Sequence, residues 1–122
     1  MIVLGSTSEV AQAFVEKALQ EGEKYERIYL FTSSKETTER FARHIDVMFL
    51  QQSEIIELDL MKEIDYTQFD HVNSHVLFCA TGYLGEGTEE SLFDNKNTER
   101  IIDINYSKLV PVMNYFIKQI IP

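Results

Sequence analysis

A single cysteine, Cys79, rules out a disulfide within the chain, and its place inside an apolar run reads as a small buried thiol. Basic residues are few: 11 Lys and Arg stand against 20 Asp and Glu, for a formal charge of −9. That balance argues against nucleic acid or an anionic membrane surface as partner, because both demand a basic face. It does not argue against a dinucleotide, since backbone N–H groups at a helix start hold phosphate without any cation. No run approaches the roughly eighteen apolar residues of a membrane span. Met1-Ile2-Val3-Leu4 passes straight into Gly5, without the basic and then apolar layout of a secretion signal, so a cytoplasmic location is expected. No metal site is expected. His71 and His75 have ligand spacing only on a helix, yet they flank Asn73-Ser74 ahead of a strand and read as solvated turn residues. The acidic stretch with Glu86, Glu89 and Glu90 lacks the spaced ligands of a calcium loop, and the sequon Asn105-Tyr106-Ser107 falls within a helical pattern.

What remains is the composition of an ordinary globular chain, 44% hydrophobic and 25% charged over 122 residues. Residues 1–122 read as one domain, large enough to bury roughly two-thirds of its unfolded surface. Short apolar runs alternate with helical patterns, the signature of βα units around a parallel sheet. Strands are expected at Met1–Leu4, Arg27–Phe31, Glu54–Leu58 and Val76–Ala80. The first helix carries Ala11, Val15 and Leu19 at four-residue steps and closes at Gly22. Ser33 to Glu36 has capping-box spacing and opens a second helix containing Phe41 and Ile45; Asp46 to Gln52 fits either its extension or a loop. A short third helix is expected at Tyr66–Asp70, and Tyr83 to about Lys96 reads as an exposed loop.

The last segment, from about Asn97 to Ile120, predicts one long helix kinked at Pro111. Its stripe of Ile101, Ile104, Leu109, Val112, Phe116 and Ile120 is widened by Ile102, Val110, Met113 and Ile117, more than one partner surface covers. With right-handed crossovers these elements give an α/β, Rossmann-like open sheet of about four parallel strands in the order 3-2-1-4, with helices on both faces.

Chemistry concentrates at strand ends. The first strand runs through Gly5-Ser6-Thr7-Ser8-Glu9-Val10-Ala11 into a helix, and a dinucleotide fold needs small residues there so that backbone approaches the pyrophosphate. Ser6 and Glu9 also make a capping box, which any helix start could use. Glu9 lowers phosphate affinity unless its side chain turns back to cap the helix. At the end of strand two, Thr32, Ser33 and Ser34 followed by Lys35 present no carboxylate against a ribose 2′-phosphate, which leans towards NADP with NAD possible. Ser33 serves equally as a helix cap. Asp59 can accept from an adenine amino group or cap the next turn.

Together these positions resemble the short-chain dehydrogenase/reductase family, over the whole chain. Gly5 to Ala11 matches its glycine-rich turn, Asp59-Leu60 its adenine-contacting pair, and Cys79-Ala80-Thr81-Gly82 its element after strand four. Asn105 matches the helical Asn of its catalytic tetrad. The resemblance implies cofactor contacts at Gly5, Ser6, Thr7, Ser8, Glu9, Val10, Ser33, Ser34, Asp59, Leu60, Ala80, Thr81 and Gly82. Gly82-Tyr83-Leu84-Gly85 and Asn105-Tyr106 look most like a branch of NAD(P)H-dependent keto-sugar reductases acting in lipopolysaccharide and polyisoprenyl-phosphate sugar biosynthesis. Glu9 and Ala11 replace two family glycines, and Cys79-Ala80 replaces its Asn-Asn pair. The family's Ser and Tyr-x-x-x-Lys lie downstream of the Asn-bearing helix, and this sequence ends at Pro122 without them. In that family the Tyr protonates the carbonyl and the Lys lowers its pKa, work that Asn105 alone cannot do. The stretch given is therefore expected to bind a dinucleotide and not to reduce a ketone by itself, a carbonyl substrate belonging to a complete version. The alternative is a non-catalytic NADP(H)-sensing or protein-interaction module. The family's dimer helix corresponds to residues 97–120, so a homo-oligomer through that helix is expected, with Ile102, Met113 and Ile117 short of cover.

Overall fold

A computed structural model of the chain describes residues 1–82 and 94–120. The chain orders β1 (Ile2–Leu4), α1 (Glu9–Gln20), β2 (Ile28–Thr32), α2 (Lys35–Phe49), β3 (Ser53–Glu57), β4 (Leu77–Cys79), α3 (Asn95–Ile102) and α4 (Leu109–Ile120). All pairings are parallel and the sheet order is β3-β2-β1-β4, as the alternation of strands and helices implies. The register sets Val3 beside Leu30 and Phe78, and Leu30 beside Ile55.

Period-two alternation along β1 and β2 sorts the core into two layers. Ile2, Leu4, Tyr29 and Phe31 face Leu109, Val112 and Phe116 of α4, together with Phe69 and Val72. Val3, Ile28 and Leu30 face Ala11, Val15 and Leu19 of α1 and Phe41 and Ile45 of α2. Fully buried strands read as unbroken apolar runs for this reason: both faces are covered. The first layer is an aromatic cluster, with Phe31 ring centroids 5.3 Å from Phe69 and 5.0 Å from Phe116.

Several boundaries differ from the sequence expectation. The segment left open at Asp46 continues α2 to Phe49, and Leu50 ends it in the left-handed region. Tyr66–Phe69 forms a single 3-10 turn, capped by Asp65, too short for the helix expected there. β4 lies at the edge of the sheet and is only partly buried, Cys79 included, although the Phe14 ring of α1 stacks on Phe78 at 4.1 Å. The long C-terminal helix begins earlier, at Asn95, where the Asp94 carboxylate accepts from the Lys96 N–H at 2.9 Å. It is also not continuous. A π-helical segment, Asp103–Ser107, separates α3 from α4, and the Lys108 N–H donates to the Asp103 carbonyl at 2.7 Å. The proline acts upstream of its own position: it lacks the N–H for the Ser107 carbonyl and its ring crowds that oxygen, so the irregularity ends at Ser107 while Pro111 falls in the first turn of α4. Along the stripe, Leu109, Val112 and Phe116 are buried and Met113 and Ile117 half-buried, so of the three residues expected to lack cover only Ile102, 52% accessible, is exposed. The loop expected from Tyr83 lies outside the described residues as far as residue 93.

Candidate functional site

A cleft of about 600 Å³ opens at the C-terminal ends of the strands, where the chain order reverses between β1 and β4. In open α/β sheets this switch point is where ligands bind, because the loops to either side diverge and leave a crevice. Three backbone turns wall it: Gly5 to Ser8 after β1, Leu58 to Met61 after β3, and Ala80 to Gly82 after β4. Phe31, Thr32 and Ser33 at the end of β2 and Ile104 from the π-helical segment complete the wall.

Gly5 is what lets two of these walls meet. Its φ is +82°, and a Cβ there would stand 2.8 Å from the Thr81 nitrogen and 2.9 Å from the Ala80 carbonyl carbon. No side chain fits such a gap, so the turn after β1 can lie directly against the end of β4 only with glycine. The Gly5 and Ser6 N–H groups both donate to the Phe31 carbonyl, at 3.2 and 3.0 Å, which ties the turn to β2. α1 then starts with Ser8 as its N-cap: the Ser8 hydroxyl accepts from the Ala11 N–H at 3.4 Å and its carbonyl accepts from the Gln12 N–H at 3.0 Å. The helix start is thus aimed at the cleft with the positive end of its dipole.

This corrects the Ser6–Glu9 capping box. Ser6 is buried and its hydroxyl donates to the Val3 carbonyl at 3.2 Å, while Glu9 is exposed in the first turn and the cap is made two residues later than expected. The physical reason is the turn itself, which uses Gly5 to Thr7 to reverse direction before helical geometry begins.

Of the residues anticipated for the cofactor, Gly5, Thr7, Ser8, Ser33, Asp59, Leu60, Ala80, Thr81 and Gly82 all line the cleft. Ser6, Glu9, Val10 and Ser34 do not. Val10 is 67% accessible on the outside of α1. Ser34 replaces Ser33 as the N-cap of α2, but without a side-chain cap; its N–H donates to the Thr32 hydroxyl at 3.0 Å, and its carbonyl accepts from the hydroxyls of Thr32, Thr37 and Thr38. Lys35 lines a separate groove of about 460 Å³ along the β3 edge, which shares Leu58 and Asp59 with the cleft. One Asp59 oxygen accepts from the Met61 N–H at 2.9 Å, so the turn-capping role anticipated for it is realised, and the other stands 4.0 Å from the Lys62 ammonium.

Asn105 sits in the π-helical segment beside the mouth of the cleft, its Oδ1 3.8 Å from where a Cβ on Gly82 would lie. Thr32, read with Ser33 as facing the ribose, lines the cleft as well; Phe31, Leu58, Met61 and Ile104 line it although their residue types gave no functional signal, and position at the C-terminal end of a strand is the one clue that marks Leu58. His71 and His75 are exposed, and the His71 ring stands 3.0 Å from Glu54, which also stands 3.8 Å from Arg27. Among the described residues no group of three or more His, Cys, Asp or Glu could hold a metal ion. Nor is any described helix long and apolar enough to cross a membrane.

No family model matches the sequence, and no curated protein matches it. Solved structures do. A protein from Pseudomonas syringae assigned to the short-chain dehydrogenases superposes with a TM-score of 0.77 at 12% identity, covering 98% of this chain and 51% of that one. A short-chain dehydrogenase from Salmonella enterica serovar Typhi gives 0.76 at 17% identity, covering 97% of this chain and 51% of that one. A short-chain dehydrogenase from Sphingobium yanoikuyae, solved in complex with NADPH, gives 0.71 at 16% identity, covering 89% of this chain and 44% of that one. The chain therefore has the fold seen in short-chain dehydrogenases and spans about half the length of the structures it matches.

Proposed function

We propose, from the short-chain dehydrogenase fold and the cleft built on Gly5, that this chain is the dinucleotide-binding portion of an NAD(P)-dependent reductase. The observation that carries it is convergence. Three segments far apart in sequence, each matched to a cofactor-contacting element by its residues alone, close around one cleft at the switch point of the sheet. The pyrophosphate would lie over Thr7 and Ser8 at the start of α1, where the Glu9 and Val10 N–H groups have no backbone partner among the described residues. The adenine end would reach Asp59 and Leu60, and the nicotinamide end would point past Thr81 and Gly82 towards Asn105. When bound, the dinucleotide supplies the hydride; this chain's residues bind and orient it.

NADP is the favoured cofactor, because Ser33 and Ser34 set no carboxylate against a 2′-phosphate. The complete protein would act on a keto-sugar or similar carbonyl, as the Gly82-Tyr83-Leu84-Gly85 and Asn105-Tyr106 resemblance implies, and residues 1–122 alone would not turn it over. The exposed Ile102 and Val110, 52% and 36% accessible, support self-association through the α3–α4 face. One observation favours a second reading, an interaction module without nucleotide. Glu9 is exposed beside the phosphate position and is not drawn away into a cap, so its charge opposes an anion there.

Fluorescence titration with NADPH and, separately, NADH decides between them. Saturable binding that is tighter for NADPH supports the reductase reading, and a Glu9→Gln variant should bind more tightly still. No saturation up to millimolar cofactor, in either chain, leaves either a portion that needs further strands to hold the nucleotide or the interaction module.

A further inference from the structure

The turn after β3 leaves one apolar side chain in the cleft that the core does not take. Asp59 to Lys62 form a tight turn closed twice at its first residue. The Asp59 carbonyl accepts from the Lys62 N–H at 3.0 Å, and its carboxylate accepts from the Met61 N–H at 2.9 Å. The two central residues then part. Leu60 is 7% accessible and belongs to the core layer of Phe31, Phe69 and Phe116. Met61 is 47% accessible and lines the cleft. Of the other apolar residues there, Phe31 is buried and Leu58, Ala80 and Ile104 are half-buried, so Met61 is the apolar side chain most open to a ligand.

The chemistry beside it defines what it can meet. Asp59 offers a carboxylate acceptor in the same turn, and its backbone hydrogen bonds hold Met61 in fixed relation to that acceptor. A thioether is polarizable and makes favourable contacts with aromatic rings. An acceptor for an amino group beside such a contact suits a purine, which carries an exocyclic amine on its edge and a π system on its face.

Resting on the nucleotide reading above, we propose that Met61 is the side chain that meets the adenine ring, while Leu60 anchors the turn from the core. The assignment makes the cleft sensitive to peroxide. Hydrogen peroxide transfers one oxygen atom to a thioether: the O–O bond breaks, the sulfur is oxidised by two electrons to the sulfoxide, and water leaves. The contact then becomes polar and is lost. Of the four methionines, Met1 is buried and Met113 half-buried, while Met48 is 64% accessible at the end of α2 remote from the cleft. Met48 therefore shares the exposure of Met61 without its position.

The test is calorimetric titration with NADPH and with ADP, which carries the adenine and no nicotinamide. It compares the whole chain with Met61→Ala, Met61→Leu and Met48→Leu, each before and after peroxide, with oxidised residues assigned by mass spectrometry. Met61→Ala should bind both nucleotides about two- to tenfold more weakly than the parent, the range of one sulfur–aromatic contact, and Met61→Leu should recover part of that loss. Peroxide should weaken the parent and Met48→Leu alike and leave Met61→Leu at its own untreated affinity. Met61 is exposed, so Met61→Ala should keep the parent's urea midpoint, which separates a lost contact from lost folding. Binding in the parent that Met61→Ala leaves unchanged overturns the contact while the nucleotide reading stands. So does a loss for NADPH without one for ADP, which puts Met61 away from the adenine, and so does a peroxide effect that persists in Met61→Leu. No saturation of the parent by either nucleotide at millimolar concentration overturns the contact together with nucleotide binding by residues 1–122.

Discussion

Replacing Gly5 with alanine probes the joint on which the cleft depends, and Gly22 supplies an internal control. Both glycines have positive φ, +82° and +88°, but a Cβ on Gly22 would meet nothing within 4 Å, whereas one on Gly5 would press on the backbone of Ala80 and Thr81. Forcing a residue with a Cβ into the left-handed region costs about 1–2 kcal/mol at either position. At Gly5 the end of β4 must also move, a close-packing penalty of about 1–3 kcal/mol more. Gly5→Ala should thus lose about 2–5 kcal/mol and Gly22→Ala about 1–2 kcal/mol. Since a domain is stable by only about 5–15 kcal/mol, the first variant should be visibly compromised. Urea unfolding followed by circular dichroism gives both differences against the parent from midpoints at a common slope. The difference between the variants isolates the contact. If they are destabilised equally, Gly5 does not lie against Thr81 and the cleft as described is wrong.

Phe116 is fully buried in the aromatic cluster, so Phe116→Ala should cost about 3–5 kcal/mol by the same unfolding assay. The Phe14–Phe78 stack predicts a coupling of about 0.5–1.5 kcal/mol in a double-mutant cycle, and additive single losses would deny the stack. Ser8→Ala removes the N-cap of α1 and should cost about 1 kcal/mol, while Ser6→Ala should leave the cap intact. The Met1 ammonium donates to the Arg27 carbonyl at 2.9 Å, and burial lowers its pKa from 8.0 to about 6. The folded state therefore disfavours the charged amine: stability is full above pH 8, falls as pH drops from 8 to 6, and levels off below. Comparing urea midpoints at pH 6 and 8 between free and N-acetylated chain tests the sign, and a midpoint that rises towards pH 6 in the free chain alone would contradict it.

Alternating strand and helix patterns made the sheet legible, because burial on both faces leaves unbroken apolar runs such as Ile28 to Phe31. Which serine begins a helix was not legible. Ser6 and Ser8 differ in no intrinsic property, and only the close approach of Gly5 to Thr81, a contact across the fold, shows that the chain is still turning at Ser6. The same holds for Ser33 and Ser34, where Thr32 takes the local hydrogen bonds. Pro111 signalled an irregularity, yet its position followed from the carbonyl four residues back. Most of the glycine, serine and Asp-Leu positions reached the cleft as anticipated, because turn chemistry is local. Phe31, Leu58 and Ile104 did not announce themselves, since an apolar residue at the end of a strand reads as core whether or not a crevice opens beside it.

The most direct test of a nucleotide cleft at the switch point is to follow the backbone amides of the chain by nuclear magnetic resonance as NADPH is added. Saturable shifts should gather at Gly5 to Val10, Asp59 to Met61 and Ala80 to Gly82, with Val47 to Leu50 unmoved. Amides that stay still at millimolar NADPH, or shifts confined to the β3 groove around Glu54 and His71, would contradict it.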